Sequence, residues 1–348
     1  MEGKKAFEIQ FNWIFILVVG VLILLFFSVI VIKQKNVSES SAKGTVLRSM
    51  ESIVAGSSIT QDTTKLIQVP DSSIEVGCNR ISLGDVSKQY QNMILFSPGL
   101  IKGDKIITQT LPFSEPYKSA NLLYITSPKI RYILVGNDDF SKEINKTLPS
   151  ELNKEFYLLY DASKIKNLNN YKVRLIFANT PLPASVPASL QKMNDMDVTA
   201  LAINGNIETG SLGFYHKNRN NGWEVSARNS AYIGKSSLVG SVYSDSSETY
   251  ECNMRSAFAR LKLISSINID RLNKLKDNAV QQGKNQCVNI YDGAFSNLND
   301  IQRIAGQVSD STSIFDIGDF IKISRAAGQP GLSAQNKELQ KFSCPLVY

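Results

Sequence analysis

Few residues of this chain have the types and spacing that catalysis or metal binding requires. His216 is the one histidine among 348 residues, so a Ser-His-Asp device would have to use it, and a site built from several histidines is excluded. His216 stands between Tyr215 and Lys217 in a predicted hairpin, where a surface position is the simpler interpretation. We therefore predict no catalytic residue, no metal site and no cofactor.

Three short motifs match catalytic signatures only in part. Gly234-Lys235-Ser236 matches the end of a P-loop, but Asn229 stands where the first glycine is required, and no helix start is evident after the motif. Residues 163–166 fit S-x-x-K without the partner motifs of that class. Asp195-Met196-Asp197 precedes a predicted strand instead of following one, which favours a simple turn.

One set of polar residues falls just past the predicted strands of an α/β unit. These residues are Asp138, Asp139, Asp161, Asn179 and Asn204. Open α/β sheets bind ligands outside the carboxyl ends of their strands, so the five residues are the candidate ligand site. The simpler alternative is that Asp and Asn serve there as ordinary loop and cap residues.

Four cysteines, Cys78, Cys252, Cys287 and Cys344, show no C-x-x-C spacing, so we predict two disulfides. Cys252 begins a helix predicted to run to about Asp277, roughly 37 Å away. The ten residues from there to Cys287 reach at most about 36 Å, while a disulfide brings two Cα atoms within about 7 Å. This disfavours Cys252–Cys287. Of the two remaining patterns we prefer Cys78–Cys252 with Cys287–Cys344.

The segment from Phe11 to Ile32 is 22 residues long and carries no charge. Lysines flank it on both sides, at positions 4, 5, 33 and 35. As a helix it spans the roughly 30 Å hydrocarbon core of a bilayer. A cleaved signal peptide would have an apolar core of about 7 to 15 residues and a small-x-small site directly after it. We expect a retained single-pass anchor in the cell membrane, with the lipid bilayer as a partner.

A second reading of the N-terminus is a pilin-like subunit. Lys5-Ala6-Phe7 followed by Glu8 resembles a type IV prepilin cleavage site. In that family the glutamate is the fifth residue of the mature chain, whereas Glu8 would be the second.

The signals for membrane orientation conflict. Two basic residues precede the apolar segment and four follow it, which favours a cytoplasmic C-terminal part. The even number of cysteines favours an oxidising compartment, and glycosylation sequons at Asn36 and Asn145 agree with it. Because long domains translocate largely regardless of flanking charge, we expect the C-terminal part to be extracytoplasmic.

The net charge of +7 comes from scattered residues, with no run of five Lys or Arg. This indicates a solvated surface and no nucleic-acid partner. Within the stretch after the anchor, Val46, Leu47, Met50, Ile53 and Val54 share one helical face. That face would pack on a protein partner or on the chain's own C-terminal part.

We expect a mixed α+β (α/β) fold with a transmembrane helix, a β-rich segment, a βαβ-containing mixed sheet and C-terminal helices. Hairpins are predicted over 66–136, with strand breaks at positions that include Asp71, Gly103 and Pro112. We also predict a helix near Pro187 to Met193 and a capping box at Asp245 to Glu248. The segments are an N-terminal tail at 1–10, the transmembrane helix at 11–32, a stalk at 33–64, the β-rich and α/β ectodomain at 65–245 and a helical region at 246–348.

Three segments carry a resemblance: FNWIF at 11–15, Tyr250-Glu251-Cys252-Asn253-Met254, and Ser343-Cys344-Pro345-Leu346 with Tyr348. They are similar to uncharacterised single-pass membrane proteins of small-genome archaea, over about a fifth of the chain. The resemblance implies a membrane protein and no particular activity.

The sequence thus predicts a membrane-anchored surface protein that acts as a binding or structural module through protein contacts. The alternative is an anchored α/β enzyme or small-ligand receptor that uses the strand-end residues. The second alternative is the pilin-like subunit.

Overall fold

The computed structural model describes residues 3–57, 62–84, 86–90, 93–310, 317–327 and 331–348. It confirms the mixed α+β fold, with an N-terminal apolar helix, two mixed sheets and C-terminal helices.

The first helix, α1, runs without interruption from Gly3 to Ser57. Its stretch Phe15–Lys35 is, within the described ranges, the one helical segment long and apolar enough to cross a membrane, and none of it is buried. The later part of α1 packs on the residues that follow it in the chain, and its side chains Val46, Leu47 and Met50 are buried there. Of the two occupants predicted for this face, the chain's own C-terminal part is the one present.

Six strands form the sheet that receives α1, here called sheet A. They are β1 Thr63–Gly77, β2 Arg80–Leu83, β3 Val86–Gln89, β4 Leu95–Phe96, β5 Leu100–Phe113 and β6 Ala120–Thr126. Their order is β3-β2-β1-β5-β6-β4, antiparallel except for the parallel β4–β6 pair. The Tyr90 hydroxyl donates to the Leu47 carbonyl at 3.1 Å and ties α1 to this sheet.

Sheet B contains seven strands and one crossover helix. They are β7 Ile130–Val135, α2 Asp139–Thr147, β8 Asn153–Tyr157, β9 Lys172–Ala178, β10 Val198–Gly205, β11 Thr209–Lys217, β12 Trp223–Val225 and β13 Ser230–Ile233. Strands β8-β7-β9-β10 are parallel, and β11 continues the sheet antiparallel, with β12 and β13 on it. The predicted βαβ unit is β7-α2-β8.

The described residues after sheet B form five helices: α3 Gly234–Tyr243, α4 Ser247–Gln281, α5 Asn285–Asp310, α6 Ile317–Ala327 and α7 Leu332–Lys341. Disulfides join Cys78 to Cys252 and Cys287 to Cys344, with Cα separations of 6.0 and 5.9 Å. These are the pairs preferred from the sequence. Cys252 lies near the start of α4 and Cys287 follows its end, so the length of α4 separates them, which agrees with the sequence prediction against a Cys252–Cys287 disulfide.

Alternation along the strands divides the core. In β7, Tyr132 and Leu134 join the main core, which also contains residues of sheet A and α4, while Ile133 and Val135 face a second core on the other side of sheet B. A third core lies between sheet A and α1. Period-two burial on both faces is the expected pattern for buried parallel strands.

Three local predictions are wrong. The helix predicted near Pro187 to Met193 is reduced to a 3₁₀ turn, Ala188–Leu190, where the Lys217 ammonium group binds the Gln191 carbonyl at 2.8 Å. Gly103 and Pro112, read as breaks, lie within β5, and β1 crosses Asp71 through an irregularity between Gln68 and Ser72.

The capping box also differs from the prediction. Ser246 is the N-cap of α4, with its hydroxyl accepting from the Thr249 N–H. Asp245 instead accepts from the Gly99 N–H at 2.8 Å and pairs with Lys172 at 2.5 Å. Asp245 thereby connects the loop before β5 of sheet A to β9 of sheet B.

Candidate functional site

Two of the five predicted ligand residues meet at the carboxyl edge of sheet B. The Asn179 amide donates to Asp138 at 2.8 Å and to the Gly205 carbonyl at 3.0 Å, and its oxygen accepts from the Gly205 N–H at 2.9 Å. Asp138 also caps α2 by accepting from the Ser141 N–H at 2.8 Å. These bonds join the ends of β7, β9 and β10.

This edge contains the topological switch point of the parallel strands. From β7 the chain passes through α2 to β8 on one side, and the next pair, β9 and β10, lies on the other. Ligands of open α/β sheets bind at such a point. Here Asp138 and Asn179 bond to each other across it. Burial raises the pKa of Asp138, but the hydrogen bonds from Asn179 and Ser141 outweigh it and hold the pKa below its usual value.

Among the described residues, none of the other three predicted residues bonds to this pair. Asp139 is 99% exposed and pairs with Lys142 at 2.9 Å. Asp161 accepts from the Ser163 hydroxyl at 2.6 Å and lies 3.7 Å from Lys164. Asn204 is exposed and lies within β10, not past its end. The cluster expected from the sequence is therefore reduced to one hydrogen-bonded pair.

A cavity of about 360 Å³ opens elsewhere, where the end of β5, the end of α2 and the start of α3 meet. Its charged lining residues are Asp62, Glu115 and Lys235. Hydroxyl groups come from Ser114, Thr147 and Ser236, and Leu111 contributes apolar surface. The volume lies in the range of small-molecule sites, which favour the junctions between structural units.

Glu115 is the unusual residue of this cavity. It is half-buried, and the described residues give its carboxyl group no hydrogen bond or ion pair. Burial, and secondarily the negative charge of Glu208, raise the pKa of Glu115 to about 7. Its carboxyl group packs against Gly234, where an added Cβ would lie 2.3 Å from Glu115 Oε1 and where φ is +73°. The backbone conformation of Gly234 favours glycine, and a Cβ there would displace the Glu115 carboxyl group.

On the α3 side of the cavity, the helix begins directly after β13. Its N-cap residue, Ile233, provides no side-chain hydrogen bond, so the first N–H groups of α3 lack the usual side-chain cap. Lys235 is half-exposed and lies 3.9 Å from Glu143, a separation typical of a weak surface pair. The helix start that the P-loop comparison could not find is therefore present, although the first glycine of that motif remains absent.

The other segments singled out by the sequence are structural. In the first turns of α4, Tyr250 donates to the Ala231 carbonyl at 3.2 Å and Asn253 accepts from the Leu95 N–H at 3.1 Å. Between them, Glu251 is fully buried and pairs with Arg228 at 2.6 Å and Arg255 at 3.3 Å. This segment ties α4 to both sheets.

The C-terminal segment has the same role. Tyr291 donates to the Pro345 carbonyl at 2.9 Å, and Tyr348 packs on the ring of Tyr117 with centroids 5.2 Å apart. Together with the Cys287–Cys344 disulfide, these contacts hold the end of the chain on α5 and on the loop before β6.

The two predicted glycosylation sites differ in position. Asn145 is half-buried in α2, whereas Asn36 falls within α1, one residue after the stretch that could cross a membrane, and its side chain lies outside the described part. His216, the lone histidine, faces Glu224 at 3.7 Å across the β11–β12 pair.

No protein family, curated protein or solved structure matches this chain.

The sequence did not single out Glu115 as a functional residue. The one sequence motif at the cavity is Gly234-Lys235-Ser236, an incomplete P-loop. Glu115 itself lies in a loop between two strands, and its nearness to Gly234, 119 positions later in the chain, follows only from the packing of sheet A on α3.

Proposed function

We propose that this chain is a single-pass membrane protein whose C-terminal part lies outside the cytoplasm and acts as a binding or structural module. The observation that carries the proposal is α1. One uninterrupted helix contains an unburied apolar stretch and then a stretch buried against sheet A. An exposed apolar helical stretch of that length is unfavourable in water, whereas the hydrocarbon core of a bilayer gives it an apolar environment.

The spacing within α1 sets the distance between the bilayer and the folded part. Val46, the first buried side chain among the described residues of α1, lies eleven positions after Lys35, the end of the apolar stretch. At about 1.5 Å per residue this is roughly 16 Å. A continuous helix holds the folded part close to the lipid surface, where it would meet partners in or on the same membrane.

The disulfides support the extracytoplasmic orientation. All four cysteines described are paired, and such bonds persist in oxidising compartments. One bond ties sheet A to α4 and the other closes the helical end, so the fold depends on both.

The alternative that uses the strand-end residues would require them to converge on a cavity. Asp139 and Asp161 pair with surface lysines instead, and none of the five residues lines the cavity beside α3. The strand-end site therefore offers no support for an enzyme or receptor.

The test is the topology of the full chain in cells. We expect it to stay in the membrane pellet after a carbonate wash, and protease added to intact cells to remove the part beyond α1. Thiol labelling under denaturing conditions should modify no cysteine until a reductant is added. A cytoplasmic protein with a known thiol serves as the control for cell integrity. Release by carbonate, or four thiols labelled without reductant, would contradict the proposal.

A pilin-like subunit is the second candidate, and the observation that favours it is the same continuous α1. Several copies of a helix whose first half is apolar could assemble side by side once the leader was removed. N-terminal sequencing of the membrane-bound protein separates the two: a start at Met1 supports the anchor, and a start at Phe7 supports the pilin-like subunit.

A further inference from the structure

We propose that the cavity beside α3 binds a small zwitterion, a molecule that carries a protonated amine and a carboxylate, such as a free amino acid. This inference names a ligand class for the proposed binding module, but it rests on the cavity alone and not on the membrane topology.

The amine end is assigned to Glu115. A half-buried carboxyl group without an internal donor or cation is costly as an anion. It can take up a proton, or it can bind a positive group that enters from outside. The nearby Glu208 adds a negative field to this end of the cavity and favours a cation there. A ligand ammonium group supplies both the charge and the hydrogen bonds that the described residues do not give Glu115.

The carboxylate end is assigned to the start of α3. Lys235 contributes a cation that, among the described residues, pairs only with Glu143, 3.9 Å away. Ser236 and Thr147 add further polar groups to the lining. The Gly234 N–H at the helix start already donates to the Glu208 carbonyl at 2.6 Å, so Lys235 is the charged group assigned to the ligand carboxylate. Asp62 and Glu115 therefore give the cavity lining negative charge and Lys235 gives it positive charge, which together complement a zwitterion.

The dimensions fit a small ligand. About 360 Å³ is at the lower end of the volumes of small-molecule sites. Leu111 and Pro112 form an apolar part of the wall that would accommodate an aliphatic side chain. The cavity lies between sheet A and the elements packed on sheet B, so occupation would connect the two.

The experiment is isothermal titration calorimetry on the full chain in detergent micelles at pH 7.5. The probes are glycine, alanine and leucine, together with isoamylamine and 4-methylpentanoate, which are leucine without its carboxylate and without its amine. We expect saturable binding of at least one amino acid and about tenfold or greater loss for both one-charge analogues. No binding by any amino acid, or equal affinity for an analogue, would overturn the proposal.

Variants locate the site. Glu115→Gln and Lys235→Met should each weaken amino-acid binding by about tenfold or more, and wild-type affinity should rise between pH 6 and 8 as Glu115 ionises, a rise absent in Glu115→Gln. Asp139→Asn, an exposed residue outside the cavity, is the matched control and should bind as the wild type does. Circular dichroism establishes that each variant is folded. Unchanged affinity in folded Glu115→Gln would contradict the assignment, and this result would leave the topology proposal untouched.

Discussion

Glu251 and Glu115 are both removed from bulk water, yet their surroundings differ in kind. Glu251, in the first turn of α4, is fully buried and accepts from two arginines, and its neighbours in the chain tie α4 to both sheets. Glu115, beside the cavity at α3, is half-buried and has no described partner. The fold gives one carboxylate two arginine partners and gives the other no described partner.

The contrast separates structural from functional polar groups. A paired buried carboxylate fixes the elements that carry its partners, and removing it exposes those partners to the cost of burial without a counter-charge. An unpaired carboxylate in a cavity has a perturbed pKa and no structural task, which is the usual signature of a binding position. The Asp138–Asn179 pair is more exposed than Glu251, but it likewise joins the elements that carry it, whereas the sequence predicted a ligand site there.

The largest effect is expected from Glu251→Ala. This variant leaves Arg228 and Arg255 without their shared carboxylate and should lower the free energy of unfolding by about 3 to 5 kcal/mol. Glu248→Ala, on the exposed side of the same helical turn, is the matched control and should cost less than about 1 kcal/mol. Urea unfolding followed by circular dichroism measures both. Equal losses in the two variants would refute the structural role given to Glu251.

Glu115→Gln should instead raise the free energy of unfolding at alkaline pH. The folded-state pKa of about 7 lies above the ordinary value of 4.5, so between these pH values the folded chain keeps a proton that the unfolded chain has lost. The stability linked to this proton is present below pH 4.5 and is lost as the pH rises to 7, a decrease of about 3 kcal/mol.

Glu115→Gln removes this titration, so the variant should be more stable than the wild type at pH 8 by up to about that amount and similar to it at pH 4.5. Unfolding curves at the two pH values check the prediction. A Glu115→Gln variant that is less stable than the wild type at pH 8 would show that the carboxylate has a partner in the folded chain.

Asp138→Ala tests the region where the sequence placed the ligand site. It removes the cap of α2 and the bond to Asn179, so it should cost about 1 kcal/mol of stability, while amino-acid binding at the cavity stays unchanged. Loss of binding with no loss of stability would instead restore the strand-end edge as a ligand site.

The smallest effect is expected from Asp139→Asn. The side chain of Asp139 is almost fully exposed and pairs only with Lys142 among the described residues. Exposed pairs of this kind contribute about 0 to 1 kcal/mol, so the variant should unfold within about 0.5 kcal/mol of the wild type. A larger change in stability would mean that Asp139 has a structural role that its exposure does not indicate.

The sequence predicted those elements whose patterns are strong and local. The apolar stretch of α1, the strands around Ile133 and Ile176, and the amphipathic helix α4 all show clear length or periodicity. The disulfide pattern could be narrowed because the length of a helix sets how far apart its ends lie.

Helix α3 could not be predicted, for a physical reason. Nine of its ten residues are buried, so it shows no alternation between a polar and an apolar face. Its serines satisfy themselves internally, as Ser241 does by donating to the Leu238 carbonyl at 2.7 Å. The start of this helix lines the cavity, so the cavity could not be predicted from the sequence either.

The ligand site predicted at the strand ends differs from the structure for another reason. Residue type and position identified the correct edge of the sheet, and Asp138 and Asn179 do meet there. Whether two polar groups bind a ligand or each other depends on differences of a few tenths of an ångström in their positions. Residue spacing in a sequence does not determine such differences.

The most direct test of the contrast between the two glutamates is the titration of Glu115 itself. Infrared difference spectra of the wild type minus Glu115→Gln, recorded on the full chain in detergent across pH 4 to 9, isolate the carboxyl band of this one residue. We predict a midpoint near pH 7 that moves to lower pH when a saturating amino acid is present. A midpoint near 4.5, the ordinary value for a solvated glutamate, or a midpoint that no amino acid shifts, would contradict it.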